Sequence, residues 1–174
     1  MSHLLVVNCG SATLKYRLFA YPPAGGDAQP VAVGAVERIG APGGPASHAQ
    51  AVAAVLAALP AAPDLVGHRV VHGGAHFTAP VVVTPAVLAD LDALSVLAPL
   101  HNPPALAALR ACADALGPGV PQVAVFDTAF HAHLPLVAAT YALPRDLADR
   151  HQVRRYGFHG LAHRSLVGRY AALA

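Results

Sequence analysis

Three runs with strand periodicity fall within the first 39 residues, and helical spacing begins only at Ser47. No other feature constrains the fold as strongly, because strands grouped ahead of helices must first pair with one another. Leu4 to Val7 is an unbroken apolar run, the pattern of a strand buried on both faces. The turn Asn8-Cys9-Gly10-Ser11-Ala12-Thr13 follows, and then Leu14, Tyr16 and Leu18 alternate with Lys15, Arg17 and Phe19. The opening therefore reads as a β-hairpin. Beyond the Pro/Gly loop PPAGGDAQP, VAVGAVERI supplies a third strand, closed by the loop GAPGGPAS.

From Ser47 onward, Val52, Val55, Leu56 and Leu59 share one helical face. LVGHRVV returns to strand character. Val87, Leu88, Leu91 and Leu94 mark a second helix, with Thr84 as N-cap and Pro85 in its first turn. Leu106, Leu109, Ala113 and Leu116 mark a third helix, and PQVAVFD is a strand ending at an aspartate. Ala162, Leu166, Tyr170 and Leu173 mark a last helix that runs to the final residue. The order β-β-β-α-β-α-α-β predicts an α/β fold with a mixed sheet and helices packed on it.

Composition excludes several classes. Apolar residues make up 55% and charged residues 11%, which provides an ample core and excludes a disordered chain. A net charge of +2 implies no strong field for nucleic acid or an acidic membrane. The longest apolar stretches are Ala-rich, broken by Pro60 and Pro63, and shorter than the roughly 18 residues of a spanning helix. No basic region precedes the first apolar run, so no signal peptide is expected. Cys9 and Cys112 lie in unlike contexts and read as two free thiols in a reducing cytoplasm.

Four places could carry chemistry. Backbone N–H groups in the hairpin turn can converge on an anion; Ser11 and Thr13 add hydroxyls, Lys15 a charge and Asn8 an amide. The GxxxxGK[ST] spacing is absent and a strand follows, so this is no Walker loop, and an ordinary polar hairpin explains the same residues. In GHRVVHGGAHF, His68, His72 and His76 recur every fourth position, but strand character and Gly73-Gly74 keep them from converging as metal ligands. Arg69 in the same strand can grip a carboxylate or phosphate bidentately, or form a plain salt bridge. Asp127 ends a buried strand, where α/β folds bind ligands, or else caps the turn after it. His159 lies between Gly157 and Gly160, which let the backbone approach something closely. His131 and His133 form an HxH pair without a partner cluster and read as loop residues.

Their order says more than any one of them. LLVVNCGSATLKYRLF, GHRVVHGG, LAPLHNPPAL, VAVFDTAFHAHLP and RRYGFHGLAH together closely resemble the acetate kinase (acetokinase) family, and the blocks span Leu4 to His163. The resemblance implies a ribonuclease-H-like lobe of the actin-like ATPase superfamily, with residues 1–150 as the lobe and 151–174 opening a second one. It implies transfer of the γ-phosphoryl group of ATP to acetate with magnesium, giving acetyl phosphate and ADP, in a cytoplasmic homodimer. Carried over by motif, Asn8, Ser11, Thr13 and Lys15 would line the phosphate and metal side, with Asn8 toward the metal. Arg69 would face the substrate carboxylate or the transferring group, and Val71, Leu100 and Phe158 would enclose the acetate methyl, with His101 nearby. Asp127 would be the essential carboxylate, and His159 would donate to the equatorial oxygens of the phosphoryl group.

The chain also departs from the family pattern. Ala12 interrupts a run of hydroxyl residues, Leu161 and Ala162 replace two hydroxyl residues in GFHGTSH, Ala75 replaces a glutamate and Ala105 an asparagine. Family members are more than twice as long, and the absent half carries the second phosphate loop, the adenosine segment, a second substrate arginine and a magnesium-side glutamate. A fragment inactive by itself is therefore expected. A propionate or butyrate kinase, a non-catalytic remnant and one half of a split enzyme are the alternatives, and a chaperone or actin-like ATPase is a fold-level runner-up that Asn8 disfavours.

Overall fold

The first 21 residues fold back on themselves, and everything after them adds to that hairpin. A computed structural model describes residues 1–22 and 26–173, so the Pro/Gly loop after the second strand lies partly outside the described residues. The strands are β1 (Ser2–Cys9), β2 (Thr13–Tyr21), β3 (Gln29–Glu37), β4 (Leu65–Val70), β5 (Val81–Val82) and β6 (Gln122–Phe126). The helices are α1 (His48–Ala58), α2 (Pro85–Ala93), α3 (Asn102–Leu116), α4 (Leu136–Ala139), α5 (Arg145–Arg150) and α6 (Gly160–Ala171). One sheet runs β3-β2-β1-β4-β6-β5. The hairpin pairs and β5–β6 are antiparallel, whereas β1–β4 and β4–β6 are parallel. This is the mixed sheet expected, with one short strand, β5, that two residues of Val-Val could not announce.

Helix starts follow local chemistry. The Ser47 hydroxyl accepts from the Gln50 N–H, and the Gln50 side chain reaches back to the Ala46 N–H at 2.8 Å. Thr84 caps α2 through the Val87 N–H at 3.2 Å, with Pro85 at the first helical position. The cores sit between the sheet and these helices. Leu5, Val7, Leu14, Leu18 and Val66 meet Val52 and Val55 of α1 and Ala108 and Cys112 of α3. A second cluster joins Val70, Ala124 and Phe126 to Leu91 and Leu106. Leu5, Leu14, Leu18 and Leu106 are wholly buried, each contributing roughly 1.5–3 kcal/mol.

Two expectations are corrected. β1 is not buried on both faces: Leu5 and Val7 are buried, but Val6 between them is 36% exposed. Among the described residues the helices cover one side of the sheet, and an unbroken apolar run cannot reveal which side stays open. The stripe on α6 likewise forms a helix without a buried face, since Leu166, Tyr170 and Leu173 are all exposed. α6 packs chiefly on the 3-10 turn Ala129–His131.

Candidate active site

Three parallel strands end side by side and deliver three polar side chains to one face. Asn8 lies one residue beyond the Val7–His68 pair, Arg69 pairs with Val125, and Asp127 follows Phe126 at the end of β6. Period-two alternation turns all three away from the helices. Asp127 is buried, and its carboxylate accepts from Arg69 Nη2 at 2.6 Å and from Nε at 3.2 Å. Arg69 Nη1 donates to Asn8 Oδ1 at 2.9 Å. The guanidinium is thus held in place from two strands, and its side chain keeps 31% exposure toward the cleft. Bidentate contact with a carboxylate fixes its plane as well as its charge.

The hairpin tip forms one wall. The Gly10 N–H donates to the Thr13 carbonyl at 2.8 Å, so that amide is committed to closing the turn. The Gly10 carbonyl is engaged by His48 Nε2 at 3.0 Å, and the Ala12 carbonyl accepts from the Ile39 N–H at 3.0 Å. Lys15, opposite Asn8 across the hairpin, is exposed and supplies the cation.

The apolar wall comes from two other segments. Val71 follows β4, and Leu97 to His101 lead into α3. Asn102, fully buried, joins them: its Oδ1 accepts from the His72 N–H at 3.1 Å and its Nδ2 donates to the His72 carbonyl at 3.0 Å. His72 Nδ1 in turn accepts from the Gly74 N–H at 2.9 Å, and Thr128 Oγ1 accepts from the Gly73 N–H at 3.0 Å. The His72 ring meets Tyr156 and Phe158 edge-on, with centroids 4.5 and 5.6 Å apart. Burial keeps the His72 pKa below the ordinary histidine value, which favours the neutral ring.

One cleft of about 580 Å³ is lined by Asn8, Thr13, Lys15, Arg69, Val71, Leu100, His101, Asp127, Phe158 and His159, ten of the eleven residues singled out from the sequence. Ser11 is the exception: it sits exposed at the hairpin tip, outside the lining. The sequence reading gave His48 and Asn102 no role and weighed His72 only as a metal ligand. They touch the cleft through neighbouring backbone, and only the HNPP stretch before a helix hinted at Asn102.

The three-histidine spacing builds no metal centre. His68 is buried on the helix side of the sheet, its Nε2 2.8 Å from Gln122 Oε1, and His76 is exposed. Burial lowers the His68 pKa to about 4, partly offset by the Gln122 hydrogen bond. Among the described residues no cluster of three or more His, Cys, Asp or Glu could hold a metal ion. Both cysteines are free and buried, and among the described residues no helix is long and apolar enough to cross a membrane.

The family model described as "Acetokinase family" matches residues 46–173. An acetate kinase from Clavibacter michiganensis subsp. michiganensis is 47% identical over 94% of this chain, a match that takes up 46% of that protein. The crystal structure of Porphyromonas gingivalis acetate kinase aligns with a TM-score of 0.87 at 39% identity, covering 99% of this chain and 49% of its own. That of a propionate kinase from Francisella tularensis subsp. tularensis aligns with a TM-score of 0.88 at 34% identity, again covering 99% and 49%. The chain therefore spans about half the length of the curated relatives it matches.

Proposed function

The chain belongs to the acetokinase family, and from that premise we propose that it forms the acceptor-side half of an acetate kinase active site. In the whole protein, ATP and acetate would give ADP and acetyl phosphate in the cytoplasm, and a second half would bring the nucleotide. Residues 1–150 would be the first lobe, 151–174 would open the second, and the whole would be a homodimer without nucleic-acid or membrane partners.

The observation that carries this reading is the one cleft that gathers Arg69, locked by Asp127 and Asn8, together with Lys15, His159 and the apolar Val71, Leu100 and Phe158. Acetate is ionised at neutral pH and is already a nucleophile, so no strong base is needed. What remains is positioning and the neutralising of charge. Arg69 would orient the carboxylate or meet charge on the transferring group. Lys15 and the Thr13 hydroxyl would receive phosphate oxygens, and His159 would donate to the group in flight. Val71, Leu100 and Phe158 would enclose the methyl, and one further methylene is worth only about 1–3 kcal/mol of discrimination. Asp127 would keep Arg69 aligned. The residues present do not build a magnesium site by themselves: the oxygens of Asn8 and Asp127 face the Arg69 guanidinium. Asn8 would therefore serve the phosphate side here.

The test traps acetyl phosphate as its hydroxamate. The 174-residue chain with Mg-ATP and acetate should give none, and the full-length protein should turn over. Full-length protein inactive with acetate, propionate and butyrate alike would overturn the reading; a higher kcat/KM for propionate would reassign the substrate.

A further inference from the structure

We infer that His131 is a positioning residue, the clamp that holds the loop carrying Phe158 and His159 against the end of β6; this rests on the reading of His159 as a donor in the cleft. His131 lines no part of that cleft. Its Nε2 lies 3.1 Å from the Phe158 carbonyl, and because a carbonyl only accepts, that nitrogen carries the proton. Its ring lies against Gly157, where a Cβ would sit 2.1 Å from the imidazole, so a larger residue would displace the ring. Phe130 and His163 fix the ring by edge contacts, with centroids 5.1 and 5.7 Å away.

A second pin closes the other end of the loop. The Gly160 N–H donates to the Asp127 carbonyl at 3.0 Å, and a Cβ on Gly160 would fall 2.1 Å from that oxygen. Between the pins His159 adopts φ 56° and ψ 25°, a left-handed conformation that non-glycine residues rarely take. Such a conformation persists only where its surroundings determine it. The HxH pair thus divides: His131 holds the loop, and His133 is exposed with no such contact among the described residues.

Two variants and two readouts test this. His131→Phe keeps the ring and removes the N–H, while His131→Gln restores a donor at similar reach. In ¹⁵N-labelled 174-residue chain, exchange of the Gly160 amide should quicken about tenfold in H131F and return toward wild type in H131Q. In the full-length enzyme, kcat for acetyl phosphate should fall about tenfold in H131F with KM for acetate nearly unchanged, and H131Q should recover most of it. Unchanged exchange in H131F overturns the clamp, as does unchanged kcat in an active enzyme. A full-length wild type without phosphoryl transfer refutes the proposed activity alone, and the exchange experiment still decides on the clamp.

Discussion

Asn102→Ala should loosen the cleft from beneath. Asn102 and His72 are both buried, and the amide side chain satisfies both backbone groups of His72, at 3.1 and 3.0 Å. Truncation leaves a buried N–H and a buried carbonyl without partners, at about 1–3 kcal/mol each. It also opens a void in the first turn of α3. The sum is about 3–5 kcal/mol, offset in part if water enters from the cleft. For a chain of this length that is a fall in Tm of roughly 6–20 °C. Urea unfolding of wild type and variant at pH 7, followed by far-UV circular dichroism, measures it. Asn102→Asp is the companion: it keeps the acceptor but turns an anion toward the His72 carbonyl, and should destabilise at least as much. A loss below about 1 kcal/mol for Asn102→Ala would refute the argument, showing that the His72 backbone finds other partners.

Asp127→Asn places an amide against Arg69 and weakens three hydrogen bonds to a carboxylate that is 2% exposed. It should cost about 2–4 kcal/mol in urea unfolding at pH 7, and an unchanged midpoint would show that the pair is mechanically idle. For His68, the folded pKa of about 4 lies below the ordinary 6.5, so the unfolded chain binds the extra proton between those values. Stability should therefore fall as pH drops from 6.5 to 4, by up to about 3 kcal/mol, and His68→Gln should flatten that slope; an equal slope in both proteins would count against it. Burial pushes the thiols of Cys9 and Cys112 up to about 12. A disulfide reagent at pH 8 should label neither in the native chain and both in urea; rapid native labelling would mean that the α1–α3 core opens.

Much of the fold was legible because it is written in period. The second hairpin strand alternates, the spacing turns helical at Ser47, Thr84 caps its helix, and β6 runs up to the aspartate. Two-residue β5 and the short helices α4 and α5 carry too few positions for any period to register. The site was legible in a different way. Gly157, His159 and Asp127 stand out by residue type and neighbourhood, whereas His72, Asn102 and His131 act through another residue's backbone, a role that their spacing in the sequence does not disclose.

By itself, then, the sequence determined the order of the longer strands and helices, the Thr84 cap and the residue types able to handle a carboxylate and a phosphate. Those properties follow from side chains spaced two or about 3.6 residues apart. Only the tertiary structure decided which side of β1 is covered, that Asn8, Arg69 and Asp127 meet in one hydrogen-bonded set, and that Ser11 stays outside the cleft. It also turned the HxH pair into one clamp and one surface residue. The physical reason is that register between strands distant in sequence, Val7 with His68 and Arg69 with Val125, fixes which side chains share a face. That register emerges from the whole sheet packing on α1 and α3, and no local window contains it.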